Sequence, residues 1–303
     1  MGSVRIGCSG WSYEDWIGPF YPEGTRSKEM LKFYFSRFHM VEVNSTFYNV
    51  PKRSTVISWA NECSRWEDRE LTIKLPMRIT HDLSMKKDPT DMIGEVRRFD
   101  DDVLAPLDDR GVLGAVLFQA SPYFTVRSDI KYRMKSPPKV PLPKYRMGMK
   151  RLLEISECLK DTSGEPAIEL RNSSWLNEDL RLREEAVDVL RESGTALATV
   201  DGPSFPWFSE ETSKHKYIRF HGRNKEGWFR SDESDPDARY DYDYSDDELL
   251  SRKEDIRIFA SRVGNDTRIF FNNHPRGSAP RNAARMREML GIDPPMGALE
   301  RFR

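Results

Sequence analysis

Eight short apolar runs, each followed by a segment of helical pattern, constrain this chain more than any other feature. They are Val4–Ser9, Met40–Asn44, Leu71–Leu75, Val112–Gln119, Ala167–Arg171, Ala196–Asp201, Lys216–His221 and Arg268–Asn272. Each is partly β-branched or aromatic and bounded by turn residues, the pattern of buried strands. The intervening segments carry helix start and stop signals. Ser27 precedes Lys28–Phe38, Pro51 and Ser54 introduce a helix to Asn61, and Pro89 with Thr90 opens Asp91–Val103. Lys144–Leu159 follows a Pro-rich lead, and Asn177 precedes Glu178–Glu192, closed by Gly194. Ser245-Asp-Asp-Glu248 is a capping box for a helix to Val263, and Ala279–Leu290 stops at Gly291.

Strand and helix alternating eight times predict an α/β fold: one (β/α)8 TIM-type barrel domain over residues 1–303. The length leaves room for enlarged loops after the fourth and seventh strands, at 121–151 and 223–245. A doubly wound open sheet would bring a Gly-rich phosphate loop after its first strand, and Gly7-Cys-Ser-Gly10-Trp-Ser does not match GxGxxG.

Strand side chains alternate between faces. In most runs the polar residues share one parity and fall late in the strand. Glu42 and Asn44 oppose Val41 and Val43; Thr72 and Lys74 oppose Leu71, Ile73 and Leu75. Gln119, Glu169 with Arg171, Thr199 with Asp201, Arg219 with His221, and Asn272 with His274 repeat the pattern, and Ser9 ends the less regular first run. Helices cover the outside of a barrel, so the polar parity is expected inside, converging on the C-terminal mouth where barrel enzymes carry their sites. The bland counterpart is a self-satisfied network, with Glu42, Glu169 and Asp201 balancing Lys74, Arg171 and Arg219. Buried charge is costly unless every partner is well placed, which favours a functional pocket.

Several runs resemble, in order, the motifs of the domain of unknown function 72 family, the YecE-like TIM-barrel proteins. They are Cys8-Ser-Gly-Trp11-Ser-Tyr13-Glu-Asp-Trp16 with Phe20-Tyr-Pro22, Val41 through Tyr48, Lys74-Leu-Pro with Ile79-Thr-His81, and Leu117-Phe-Gln119. Glu169-Leu-Arg171 with Ser174-Trp175, Tyr217 through Arg223, the Tyr240/Tyr242/Tyr244 series, and Phe271-Asn-Asn-His274 with Asn282-Ala follow. The resemblance covers nearly the whole chain. It implies a TIM-type barrel and brings no reaction with it. Cys8 stands where family members often carry Thr, and 121–151 is longer than usual.

Acid–base chemistry needs groups at one site whose neighbours push their pKa values apart. Glu42, Glu169, Asp201 and His221 fit that role by type and expected position, and Lys74 joins them as a catalytic candidate. Lys74, Arg171, Arg219 and Arg223 form an expected cationic arc for a small anionic, phosphorylated or sugar-like substrate. Ser9, Asn44, Gln119, Asn272 and His274 are expected to orient it. Trp11, Tyr48, Trp175 and His81 lie just beyond strand ends, where they would contact it or only cover loops. Gly222 is expected to let substrate approach the backbone closely. The reaction class expected is that of a hydrolase, lyase or isomerase, with no cofactor evident. His221, His274, Glu42, Glu169 and Asp201 are ligand types for a divalent metal, but no HxH or HExxH spacing is present and neighbouring cations oppose one. No GxSxG elbow marks a serine nucleophile, and Cys8 reads as a small buried thiol.

Composition adds a second reading. The formal charge is −1, from 48 Lys and Arg against 49 Asp and Glu, but two blocks of opposite sign hide inside it. Residues 121–151 hold nine basic residues and one acid; residues 232–248 hold nine acids and one base. Arg127, Lys131, Arg133, Lys135, Lys139, Lys144 and Arg146, followed by Lys150 and Arg151, interleave with Tyr123, Phe124, Tyr132 and Tyr145. That pattern fits single-stranded nucleic acid, although charge runs are more often solvated. The two blocks are expected on the same face, where they would flank a polyanion or pair as a lid. A ligand-binding barrel without turnover is a third reading. Three scattered cysteines, no apolar run of membrane length and no signal-peptide pattern point to a cytoplasmic setting.

Overall fold

In a computed structural model of the chain, the eight runs form eight parallel strands that close into a barrel in sequence order. The structure describes residues 2–126, 148–208, 210–229, 235, 237–262 and 266–295. The strands are β1 (Val4–Ser9), β2 (Met40–Val43), β3 (Glu70–Lys74), β4 (Leu113–Gln119), β5 (Glu165–Glu169), β6 (Ala196–Asp201), β7 (His215–Phe220) and β8 (Asp266–Phe271). Cys8 pairs with Val41 of β2 on one side and with Phe271 of β8 on the other, which closes the ring. The helices are α1 (Ser27–Phe35), α2 (Ser45–Tyr48), α3 (Arg53–Cys63), α4 (Thr90–Phe99), α5 (Ala105–Asp108), α6 (Gly148–Lys160), α7 (Glu184–Ser193), α8 (Lys225–Phe229), α9 (Asp246–Ser261) and α10 (Ser278–Leu290). The fold is a single-domain TIM barrel.

Local chemistry explains where the helices start. Ser245 accepts from the Glu248 amide at 3.3 Å while Glu248 accepts from the Ser245 amide at 2.9 Å, so the expected capping box opens α9. Gly194 and Gly291, each at φ 70°, end α7 and α10. The expected helix at 178–192 starts only at Glu184. Asn177 Oδ1 instead accepts from the amides of Asp179 and Arg181 at 3.0 and 2.9 Å, an Asx turn that competes with helix. The expected helix Asp91–Val103 likewise ends at Phe99 and passes into a wide turn over Asp100–Leu104.

Alternation separates two apolar groups. The large one lies between barrel and helices. The small one, Met40, Ala115, Leu117, Ala167, Ala196, Ala198, Tyr217 and Phe270, fills the lumen. Its members mark the inward parity of β2, β4, β5, β6, β7 and β8, and register extends it to β1 and β3. Gly7 has that parity in β1, where a Cβ would lie 2.0 Å from the Met40 carbonyl oxygen, so only glycine fits. At the N-terminal end Arg268 bonds Glu70 at 2.6 Å and also pairs with Glu165, a charged layer at the face that stabilises barrels.

Candidate active site

Above the apolar lumen layer lies a buried charge cluster centred on Arg219. Its Nη2 donates to Glu42 Oε1 at 2.6 Å and its Nη1 to Glu169 Oε2 at 2.5 Å. Tyr217, two residues earlier on the same parity, donates its hydroxyl to Glu42 Oε2 at 2.5 Å. Gln119 Nε2 donates to Glu169 Oε1 at 2.8 Å. Burial, the largest single influence, pushes both carboxyls up, but the Arg219 charge together with the hydrogen bonds and neighbouring groups outweighs it, so Glu42 is held below and Glu169 well below the ordinary range. Both are ionised acceptors bound to a guanidinium. Gln119 orients Glu169, where a substrate contact had been expected.

His221 continues the cluster toward the mouth. Its Nε2 is 3.4 Å from Glu169 Oε2, and Asn272 Nδ2 stands 3.0 Å from Nδ1. Asn44 Nδ2 in turn donates to Asn272 Oδ1 at 3.3 Å. With the Asn272 amide directed this way, Nδ1 accepts and the ring proton sits on Nε2, facing Glu169. Burial and then Arg219 lower the His221 pKa, so the ring is neutral.

Lys74 ends β3 on the same inward parity and is buried. Its Nζ lies 3.9 Å from the centroid of Phe47, a residue of α2. Among the described residues no carboxylate is bonded to this amine. Burial first, then Arg219, pushes its pKa down to about 7, against the partial support of Glu42 and Glu169. His81 joins this corner: its ring packs edge-on to Phe47 at 5.3 Å, and Nδ1 faces Thr80 Oγ1 at 2.9 Å. Burial, Arg171 and Lys74 push His81 down to about 4. Arg171 reaches Glu169 only at 3.7 Å and keeps 19% of its side chain accessible, so its guanidinium faces the opening. Asn44 Oδ1, buried at the mouth, has no hydrogen-bond partner among the described residues, and the Ser9 hydroxyl is buried beside Glu42, whose charge it helps hold.

Other expected members lie elsewhere. Asp201 has the outward parity, since Ala196 and Ala198 of the same strand face the lumen. Its carboxylate receives both ends of Arg223 at 2.7 Å, Arg252 of α9 at 2.8 Å and the Tyr244 hydroxyl at 3.0 Å. Asp201 and Arg223 therefore tie β6 and β7 to the helix layer, outside the pocket. Trp175 is fully buried and donates to the Phe124 carbonyl at 2.7 Å, and Trp11 packs against Trp59 of α3 at 5.6 Å. Tyr48 is an exposed rim residue; its neighbour Phe47 makes the contact with Lys74. The close approach that Gly222 permits, at φ 93°, is taken by Tyr242, whose Cβ would lie 2.7 Å from a Cβ at Gly222.

His274 stacks on Tyr13 at 4.6 Å and faces Tyr240, which meets Trp228, which meets His221. This aromatic wall was not expected. The sequence signal available was the run of tyrosines after β7, but nothing local shows that Tyr240 faces a ring 34 residues away. Phe47 had no such signal. Tyr217 had one: the two-residue period it shares with Arg219 and His221.

No group of three His, Cys, Asp or Glu side chains among the described residues has metal-holding geometry. All three cysteines are free, and burial raises the Cys8 thiol. No helix among the described residues is long and apolar enough to cross a membrane. Arg127, Lys131, Arg133, Lys135, Lys139, Lys144 and Arg146 lie outside the described residues. Arg151, at the end of that basic block, is buried and donates to the carbonyls of Ser84, Lys86 and Lys87, so it serves packing. The acidic block finds partners in and just before α10: Asp241 with Arg276, Asp243 with Arg281 at 2.9 Å, and Asp246 with Arg285 at 2.6 Å.

Fold and site together define a (β/α)8 barrel with a charge-plugged lumen beneath a mouth of incompletely satisfied polar groups. The chain belongs to the DUF72 family: the model for "Protein of unknown function DUF72" matches residues 5–299. The chain is 28% identical over 298 residues to the UPF0759 protein YunF of Bacillus subtilis (strain 168), covering 96% of this chain and 95% of that one. It superposes on a DUF72 family protein from Thermotoga maritima MSB8 with TM-score 0.75 and 31% identity, over 95% of this chain and 99% of the other. A DUF72 protein of Enterococcus faecalis V583 gives TM-score 0.73 at 24% identity, over 96% of each. The family expected from the motifs is thus the family found.

Proposed function

We propose that this protein is an enzyme that transfers protons on a small anionic substrate held at the C-terminal mouth of the barrel. The observation that supports this is the contrast between two paired carboxylates and the polar groups left beside them. Arg219 binds both Glu42 and Glu169, whereas the Lys74 amine and Asn44 Oδ1 carry no matching partner among the described residues. Barrels place chemistry at this end.

Roles follow from the electrostatics. Lys74, pushed to about 7, exchanges a proton at neutral pH and is the natural general acid or base. His221 is a neutral donor–acceptor held by Asn272 and Glu169. Arg171, partly open to the mouth, takes the anionic group. Glu42 and Glu169 set the field that positions these groups. The Ser9 hydroxyl can donate to a carbonyl or hydroxyl oxygen of a sugar-like or oxo-acid skeleton, and Asn44 Oδ1 can accept from a hydroxyl.

The test is hydrogen exchange. Sugar phosphates and small oxo acids are incubated with the protein in deuterium oxide, and carbon-bound deuterium is read by mass spectrometry. Incorporation above the protein-free rate is expected with one of these compounds, falling by about tenfold or more in Lys74→Met and Arg171→Met. Saturable binding of such anions without exchange would instead favour a binding protein without turnover.

A further inference from the structure

We propose that the Lys74 amine is a nucleophile that condenses with the carbonyl group of a small anionic aldehyde or ketone to form an imine. This inference rests on the mouth being a reaction site, and it names the substrate class.

Geometry singles this lysine out. It stands at the C-terminal end of β3, on the lumen side, so its amine meets whatever enters the mouth. Its stem is buried, and the Phe47 ring 3.9 Å away gives one wall of an apolar seat. A buried lysine ordinarily keeps its charge by pairing with a carboxylate. Here both nearby carboxylates are already taken, because Arg219 spans Glu42 and Glu169 at 2.6 and 2.5 Å. Arg219 and Arg171 stand on the same side and disfavour a third positive charge. The Phe47 ring favours the cation, and the distant pull of Glu42 and Glu169 does too, but desolvation is the larger effect.

The consequence is a free-base amine at neutral pH. An amine at about 7 is half unprotonated there, against on the order of one part in a thousand for an ordinary lysine. Such an amine attacks a carbonyl carbon, forming a C–N bond. The carbonyl oxygen leaves as water with the two amine hydrogens, and the resulting C=N nitrogen takes one proton from solvent. Arg171, on the adjoining rim, suits a carboxylate or phosphate on the same molecule. The iminium then draws electrons from the neighbouring carbon, which is how an amine assists isomerisation or carbon–carbon cleavage.

Borohydride trapping tests this on the whole protein. Cyanoborohydride is added with glyoxylate, pyruvate or acetaldehyde at pH 7, and the labelled lysine is located by peptide mass spectrometry. Lys74 is expected to label at least about tenfold faster than exposed Lys28 or Lys150, with the oxo acids preferred over acetaldehyde. Arg171→Met should remove that preference: labelling by the oxo acids falls to the acetaldehyde rate or below, and acetaldehyde labelling slows less, only as far as loss of the Arg171 charge lets the amine keep its proton. Fast labelling by acetaldehyde with no preference for oxo acids would uphold the amine and overturn the anionic substrate. Labelling of Lys74 no faster than of Lys28 overturns the nucleophile, and leaves the proton-transfer reading to its own exchange assay. The wild-type comparison needs no variant to fold, and Lys74→Arg serves as the control that retains charge.

Discussion

Arg219 holds Glu42 from across the lumen, Nη2 to Oε1 at 2.6 Å, though 177 positions separate them in sequence. Its other nitrogen holds Glu169, so removing this one guanidinium leaves two buried carboxylates without their cation. Arg219→Met is expected to cost about 3–5 kcal/mol of stability at neutral pH in urea unfolding. In the wild type both carboxyls titrate below the ordinary 4.5, so their contribution is full above that value and is lost as pH falls through the lowered values. In the variant the main charge opposing burial is gone, and burial raises both pKa values. Tyr217 and Gln119 still hold one oxygen each, but burial is the largest single influence once Arg219 is gone, so stability of the variant should improve on going from about pH 7 to about pH 5, while that of the wild type does not.

Lys74 predicts the opposite pH trend. Its folded pKa of about 7 lies below the ordinary 10.5, so between these values the unfolded chain binds the extra proton and stability rises with pH. Below about 7 the folded protein carries the buried charge at a cost. Lys74→Met is then expected to be more stable than the wild type at about pH 6, by roughly 1–2 kcal/mol, and to lose that advantage by about pH 10. Thermal unfolding of the two proteins across this range checks it; a gain independent of pH would mean that packing, not charge, is responsible.

Asp201 separates structural from chemical roles. Its carboxylate binds Arg223 and Arg252 and anchors β6 to α9. Asp201→Ala should lose about 3 kcal/mol of stability, since it leaves Arg252 without this carboxylate and Arg223 with Glu248 alone. Exchange activity per folded molecule should stay within about twofold of wild type, because Asp201 faces away from the mouth. A selective loss of turnover without loss of stability would contradict that placement.

His221 should be neutral, with its proton on Nε2, at about pH 7, because burial and Arg219 lower its pKa from the ordinary 6.5. Imidazole nitrogen shifts measured by NMR report both features. Asn272→Ala removes the donor to Nδ1, and is expected to mix the two tautomers without unfolding the barrel. A single Nε2–H form in both proteins would show that Glu169 alone sets the tautomer.

Gly7 admits no Cβ, since one would sit 2.0 Å from the Met40 carbonyl oxygen. Gly7→Ala must push β1 away from β2 and is expected to cost about 3 kcal/mol or more. Thermal unfolding measures this, and the shift should also weaken anion binding at the mouth, because Ser9 and Glu42 are register partners of that strand pair.

The strands were legible because their periodicity is local. Alternation of Val41, Val43 and their neighbours against Glu42 and Asn44 needs only the pleat, and it marked the inner face of β2, β3, β4, β5, β7 and β8. The family motifs, the Ser245 capping box and the glycine stops of α7 and α10 are equally local. The helix expected from Glu178 was not: Asn177 has good local geometry both for a cap and for an Asx turn, and the turn prevailed. Near-neutral net charge was also a poor guide, for the acid of residues 241–246 is met by arginines 35 to 39 positions later.

Periodicity thus marks which side chains enter the barrel in most strands, but not which of them pair. β6 shows the limit. Asp201 was expected in the lumen with the other polar residues, but Val200 has the inward parity. Closure of the ring turned the Ala196 and Ala198 face inward, and Arg223 and Arg252, 22 and 51 positions away, met the carboxylate outside. In the lumen the same closure gave Arg219 to both Glu42 and Glu169 and left Lys74 with neither. Charge pairing falls steeply with distance and desolvation, and those distances exist only once the eighth strand meets the first. Residue types named the candidates; the three-dimensional pairing separated bound counterions from the amine left with none.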